Sequence, residues 1–248
     1  CVCRVTTPCA IEFPYDSTEA LSEEPAPVDA TVTSLEQVAS EIMRLEVRVA
    51  EDLVFEPGQY VRINPTGTDV SRSYSMANAP GVNRLEFFIR TVPSGAFSQW
   101  LSGAKVGDRV GLSAPHGTFF LRNEDRPRLF VAGGTGVAPF LSMLRSLATQ
   151  PGVQRTTFVI GARTPGHMFA LYERKRLGTQ VAGMDLKIAV EQDAGDTCHN
   201  GYPTDLITKL ELEPSTRVYL CGPPPMIQFA CIPALDKLMF DQKQRFTF

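Results

Sequence analysis

The chain has 248 residues, 43% of them hydrophobic, with 24 Lys and Arg against 27 Asp and Glu and a formal net charge of -3. That length fits two compact domains or one large one, and the mildly acidic balance argues against a basic nucleic-acid footprint. No apolar run approaches the ~20 residues that cross a bilayer, so no membrane role is expected. Cys1–Pro14 has no apolar core of the signal-peptide kind and no initiator Met, so the chain reads as a piece of a longer protein. The six cysteines, Cys1, Cys3, Cys9, Cys198, Cys221 and Cys231, are expected to be reduced thiols in a cytoplasmic enzyme.

In chain order, residues 1–13 form a short cysteine-bearing piece, and Ser17–Pro27 is an acidic, proline-containing linker. Short, often alternating segments follow: Ala30–Thr33, Met43–Val49, Tyr60–Ile63, Ser73–Met76, Leu85–Val92 and Arg109–Ser113. Turn residues such as Pro57-Gly58, Pro80-Gly81 and Gly107-Asp108 separate them, which predicts an antiparallel barrel or sandwich. A short helix is predicted at Phe97–Leu101. From Arg128 the texture changes. Strands are predicted at Arg128–Ala132, Thr156–Gly161, Leu186–Val190 and Ser215–Cys221, and helices at Phe140–Ala148, Phe169–Leu177 and Met226–Leu238, the last broken or kinked by Pro233. Strands alternating with helices imply a mostly parallel α/β sheet.

Three motifs carry chemistry. Gly133-Gly134-Thr135-Gly136-Val137-Ala138-Pro139 follows a strand and opens a helix. Glycines let backbone amides approach a phosphate at a helix N-terminus, where the dipole favours an anion. The same residues could also be only a tight strand-to-helix turn. Cys221-Gly222-Pro223-Pro224-Pro225-Met226 ends a strand, which is where ligands sit in open α/β sheets; Cys221 alone could equally be a small buried residue. Arg72-Ser73-Tyr74-Ser75 offers a guanidinium fork for phosphate, an aromatic ring for stacking and small hydroxyl donors. By itself it could be an alternating polar strand.

Arg72–Ser75, Gly95–Leu101, Gly133–Pro139 and Cys221–Met226 occur in this order in one chain. Together they resemble the ferredoxin–NADP reductase-like family. Phe55–Tyr60 and Leu129–Leu144 resemble, within it, the reductase components of bacterial aromatic-ring-hydroxylating oxygenases of the benzoate dioxygenase reductase type. The resemblance covers about residues 27–245. It implies a β plus α/β architecture: a six-stranded antiparallel FAD-binding barrel over 27–124, then a parallel-sheet α/β NAD(P)-binding domain over 125–248. It further implies that Arg72 meets the flavin pyrophosphate with Ser73 beside it, that Tyr74 stacks on the isoalloxazine, and that Ser75 lies near N5. Ile89 and Arg90 would line the flavin, and the backbone of Gly95, Ala96, Phe97 and Ser98 would cradle its pyrophosphate. Gly133, Gly134, Thr135, Gly136 and Pro139 would take the dinucleotide phosphates, and Cys221 and Gly222, followed by Pro223 and Met226, would flank the nicotinamide. Tyr74, Ser75 and Cys221 would be the residues at the reacting atoms.

The same resemblance implies a flavin that takes two electrons from a nicotinamide and passes them singly to an iron–sulfur acceptor. The partner would be a terminal oxygenase or a ferredoxin component. Residues 1–26 resemble the end of a plant-type [2Fe–2S] domain plus a linker, with Cys1 matching the fourth ligand. Cys1, Cys3 and Cys9 do not reproduce a C-x4-C-x2-C run, so the cluster is expected only in a full-length protein. No catalytic triad is needed, and His116, His167 and His199 read as loop or surface residues. Arg163 could read a 2′-phosphate, but NADH is the preferred donor, with NADPH possible. Two further readings are an FAD electron-transfer subunit of another redox complex and a non-enzymatic nucleotide-binding module on the same fold.

Overall fold

A computed structural model of the chain describes residues 26–152, 155–169, 179, 181–237 and 245–247. The predicted cluster remnant with Cys1, nearly all of the linker, and most of the predicted helix Phe169–Leu177 lie outside the described residues. The first sheet is antiparallel. It comprises β1 (Val28–Ala39), β2 (Ile42–Leu53), β3 (Tyr60–Pro65), β4 (Arg72–Ser75), β5 (Val82–Arg90) and β6 (Arg109–Leu112), in the order β4-β3-β6-β1-β2-β5. Period-two burial curls it around an apolar interior. On β3, Val61 and Ile63 are buried while Arg62 and Asn64 are exposed. Val32, Leu45, Val47, Phe87, Ile89 and Leu112 complete that interior.

The sheet is a half-barrel whose two edges, β4 and β5, meet only at one end. The Ala77 N–H donates to the Glu86 carbonyl at 2.8 Å, and the Glu86 N–H donates to the Asn78 side-chain oxygen at 2.9 Å. On the Arg72 side of that junction no β4–β5 ladder forms among the described residues. A strand of four residues is too short to zip the whole edge, so a seam stays open beside Arg72–Ser75. Helix α1 (Ala96–Gly103) packs Phe97 and Leu101 inward and sets Phe97 against Tyr74, ring centroids 5.0 Å apart.

The second sheet is parallel, in the order β10-β9-β8-β7-β11-β12. Its strands are β7 (Arg128–Gly133), β8 (Thr156–Ala162), β9 (Met184–Val190), β10 (His199–Asn200), β11 (Arg217–Cys221) and β12 (Arg245–Thr247). β7 is buried along its whole length, as a central parallel strand must be. Phe130 and Ala132 feed one core layer, while Leu129 and Val131 feed the opposite one. Truncating Phe130 to Ala would cost about 3–5 kcal/mol. Chain order runs outward from β7 through β8 and β9, whereas β11 lies on the other side. β7/β11 is therefore a topological switch point. Helix α2 (Ala138–Leu147) rises from it.

The two sheets share a core. Ile42, Ala77 and Phe88 of the half-barrel pack in one cluster with Phe140, Met143 and Tyr219 of the parallel-sheet layer.

The structure departs from the sequence-based expectation after Pro225. Met226–Cys231 is a π turn, closed by the Ile232 N–H donating to the Ile227 carbonyl, and an α-helix follows over Ile232–Lys237. Pro233 lies just past the π turn and, lacking an N–H, cannot donate back into it, so the expected break becomes a change of helix type. The short helix Pro203–Ile207 and strands β10 and β12 carry too few residues to show a period.

Candidate flavin and nucleotide cleft

The open seam and the switch point face each other. Between them lies a cleft of about 400 Å³ lined by Ser73, Tyr74 and Ser75 of β4 and Phe88 and Arg90 of β5. Gly133, Gly134, Thr135, Gly136, Ala138 and Pro139 form its opposite wall, with Cys221, Gly222, Pro223 and Pro224. It opens into a second hollow of about 770 Å³, with Arg90, Gly133, Gly134, Thr135 and Pro223 common to both. The larger hollow adds Arg163, His167, Glu191, Tyr202 and Met226. Tyr74 and Cys221, 147 positions apart in sequence, thus share one cleft.

The backbone explains the phosphate turn. Gly133 to Val137 leaves β7 as a 3₁₀ turn and runs into α2 with no side-chain cap, so the first amides lack partners within the helix. Gly134 adopts φ +55°, and a Cβ there would point into open space. Gly136 is the reverse: a Cβ would stand 2.5 Å from the Cys221 carbonyl oxygen. The glycine turn and the Cys221-Gly222 turn are therefore pressed backbone to backbone, which only glycine allows.

On the flavin side, the alternation of β5 sorts its residues. Phe87 and Ile89 point into the barrel core, while Glu86, Phe88 and Arg90 face the other sheet. Ile89 is fully buried, so its side chain is part of the core and only its main chain is left to face a ligand; Phe88 lines the cleft instead. Phe88 also packs on Phe169 at 4.8 Å between ring centroids. Arg72 is exposed, with its guanidinium donating to the Ser71 carbonyl at 2.7 Å. Gly95 to Ser98 lie at the start of α1. The Gly95 N–H is taken by the Val92 carbonyl, and the Ser98 hydroxyl accepts from the Val92 N–H. The amides of Ala96, Phe97 and Ser98 begin the helix without internal partners. Neither Arg72 nor Gly95, Ala96, Phe97 and Ser98 line the two hollows; they adjoin them through β4 and the Tyr74–Phe97 contact.

Electrostatics keeps this part of the cleft wall neutral. Burial pushes the Tyr74 phenol up to about 12, against the opposing pull of the Arg72 cation. Burial pushes the Cys221 thiol up to about 12 as well. At neutral pH Cys221 is thus a neutral, compact wall group with almost no thiolate.

In the larger hollow, β8 and β9 end side by side. The Glu191 N–H donates to the Ala162 carbonyl at 3.1 Å and the Gln192 N–H to the Arg163 carbonyl at 3.0 Å, which brings a carboxylate next to Arg163. His167 lines this hollow from the short turn Pro165–His167, with Nδ1 2.7 Å from the Thr164 hydroxyl. Glu191 and Tyr202 escaped sequence reasoning, because each lies just past an element whose end only the fold reveals.

Residues 29–121 match the family model described as the oxidoreductase FAD-binding domain, and residues 130–232 the oxidoreductase NAD-binding domain. The toluate 1,2-dioxygenase electron transfer component of Pseudomonas putida is 32% identical over 92% of this chain and 69% of that protein. The anthranilate 1,2-dioxygenase electron transfer component of Acinetobacter baylyi is 36% identical over 92% of this chain and 68% of that protein. Among solved structures, the Amycolatopsis cytochrome P450 reductase GcoB superposes with a TM-score of 0.82 at 28% identity, covering 91% of this chain and 70% of that one. The chain is an FAD- and NAD-binding oxidoreductase and belongs to the ferredoxin–NADP reductase-like family that includes these dioxygenase electron transfer components.

Proposed function

We propose that this chain oxidises NADH at the cleft between the β4–β5 seam and the switch point, and passes the electrons singly to an oxygenase component. The observation that carries the proposal is the shared cleft of Tyr74 and Cys221. Bound FAD would convert a two-electron donation into one-electron steps.

The chain's own residues fit that group. The seam beside Tyr74 gives a flat ring an aromatic face and a slot, and the neutral phenol presents no charge to it. Arg72 and the first amides of α1 supply cationic and N–H donors for a pyrophosphate. Ser75, nine-tenths buried at the inner end of β4 and on the cleft wall, would supply a hydroxyl to a bound ring. The first amides of the Gly134–Val137 turn, with the Thr135 hydroxyl, suit dinucleotide phosphates, and Cys221 and Gly222 would wall a nicotinamide without a competing nucleophile. NADH is preferred over NADPH because Glu191 can accept a hydrogen bond from a ribose hydroxyl and repels a 2′-phosphate.

A [2Fe–2S] centre would need a ligand set that Cys1, Cys3 and Cys9 do not reproduce. A second reading keeps the same chemistry with a cytochrome P450 as acceptor; it is supported by the likeness to GcoB.

The test is direct. The chain loaded with FAD should lose its flavin absorbance when NADH is added without oxygen, and kcat/KM should favour NADH over NADPH at least tenfold. A flavin that stays oxidised would overturn the reading, and equal or inverted efficiencies would overturn the donor preference.

A further inference from the structure

We propose that Arg145 is a positioning residue, a clamp that fixes the flavin seam against the helix carrying the dinucleotide turn. The inference rests on the cleft reading above and adds a residue outside both hollows.

Arg145 sits near the end of α2, the helix that begins at the Gly133–Pro139 turn. Its Nη1 donates to the Ala77 carbonyl at 2.7 Å and to Glu86 Oε2 at 2.5 Å. Those two acceptors mark the point where, among the described residues, the chain just after β4 is joined to β5, because Ala77 and Glu86 make the hydrogen bond that ends the open seam. Two residues before Ala77 is Ser75, and four residues after Glu86 is Arg90, both on the cleft wall. One guanidinium therefore ties the apex of the flavin slot to the helix whose first turn faces the dinucleotide.

The surrounding charges make the tie specific. Glu46 and Glu86 stand directly opposite each other on β2 and β5, an arrangement that repels unless cations intervene. Arg44 lies between them, 3.1 Å from Glu46 Oε1 and 3.8 Å from Glu86 Oε1, and Arg84 pairs with Glu46 from outside. Arg145 is a cation that helix α2 of the other half contributes. The Glu86 side chain is 13% exposed and that of Arg145 21%, so the pair is little screened. The apolar cluster of Ile42, Ala77, Phe88 and Phe140 holds the two halves together, but burial is non-directional and permits sliding. A two-acceptor guanidinium contact fixes direction.

The test is stopped-flow flavin reduction by NADH without oxygen, with amide hydrogen exchange on the FAD-loaded chain as a readout that needs no donor. In Arg145→Met the limiting reduction rate should fall at least tenfold, with flavin content unchanged and NADH Kd within threefold. Arg145→Lys should recover part of that rate. Exchange should quicken at Met76–Asn78 and along α2. A limiting rate within twofold of wild type would overturn the proposal, as would a loss confined to NADH Kd. Should Arg145→Met lose its flavin, Glu86→Gln decides: a threefold or greater slowing with flavin retained supports the clamp, and a wild-type rate overturns it. A wild-type chain that NADH does not bleach would sink the electron-transfer reading instead, while the exchange result would still report on the clamp.

Discussion

The two halves of the molecule make room for a ligand in opposite ways. In the half-barrel the opening is lateral: edge strands part, and side chains such as Tyr74, Phe88 and Arg90 line the gap. In the α/β half it is terminal: β7 and β11 end side by side, and the bare backbone of Gly133–Gly136 and Cys221–Gly222 lines it. A lateral gap is tuned side chain by side chain. A terminal crevice depends on main chain that only glycine can bring so close. Substitutions in the first half should change how tightly a ligand is held; those in the second should change whether it fits.

The largest effect is expected on the lateral side. Arg72→Ala should weaken FAD retention roughly 10–100-fold, the scale of one or two charge-assisted hydrogen bonds. The flavin-to-protein ratio after gel filtration measures it, and full occupancy would break this half of the contrast. On the terminal side, Gly136→Ala forces a Cβ to within 2.5 Å of the Cys221 carbonyl. It should lower unfolding free energy by about 1–3 kcal/mol and weaken NADH binding while sparing flavin. An unchanged denaturation midpoint would mean the two turns are not in backbone contact. Glu191→Arg should raise NADPH efficiency relative to NADH roughly fivefold, on the ~1 kcal/mol scale of a part-exposed charge pair. Steady-state rates with both donors report it.

A separate handle is a pH dependence. Both Tyr74 and Cys221 have folded-state values raised to about 12 from ordinary values of 10.0 and 9.0. A raised acid contributes stability that is complete below its ordinary value and is lost as pH climbs through the folded one. Urea midpoints should therefore decline between about pH 9 and 12, and Cys221→Ser should flatten the lower part of that decline. An identical profile in the variant would show that the thiol is solvated.

Apart from β10 and β12, the strands of both sheets were legible because their residues alternate or run apolar: β3 shows period two, and β7 is apolar throughout. The glycine turn was legible because its composition serves no ordinary helix start. The seam was not, since nothing in Arg72–Ser75 says that its neighbour β5 will stay apart. Nor was Phe88 singled out, although the alternation of β5 places it with Arg90 on the side toward the cleft. Glu191 and Tyr202 depend on two chain ends meeting in space, and no local spacing encodes that.

The unzipped edge has a consequence for the protein without its prosthetic group. Two strand rims with unpaired amides and carbonyls are templates for cross-chain pairing. A ligand lodged between them covers those rims and, by mass action, draws the chain toward its folded monomer. Supply of flavin during synthesis should then govern how much of this protein stays in solution, as well as how much of it is yellow.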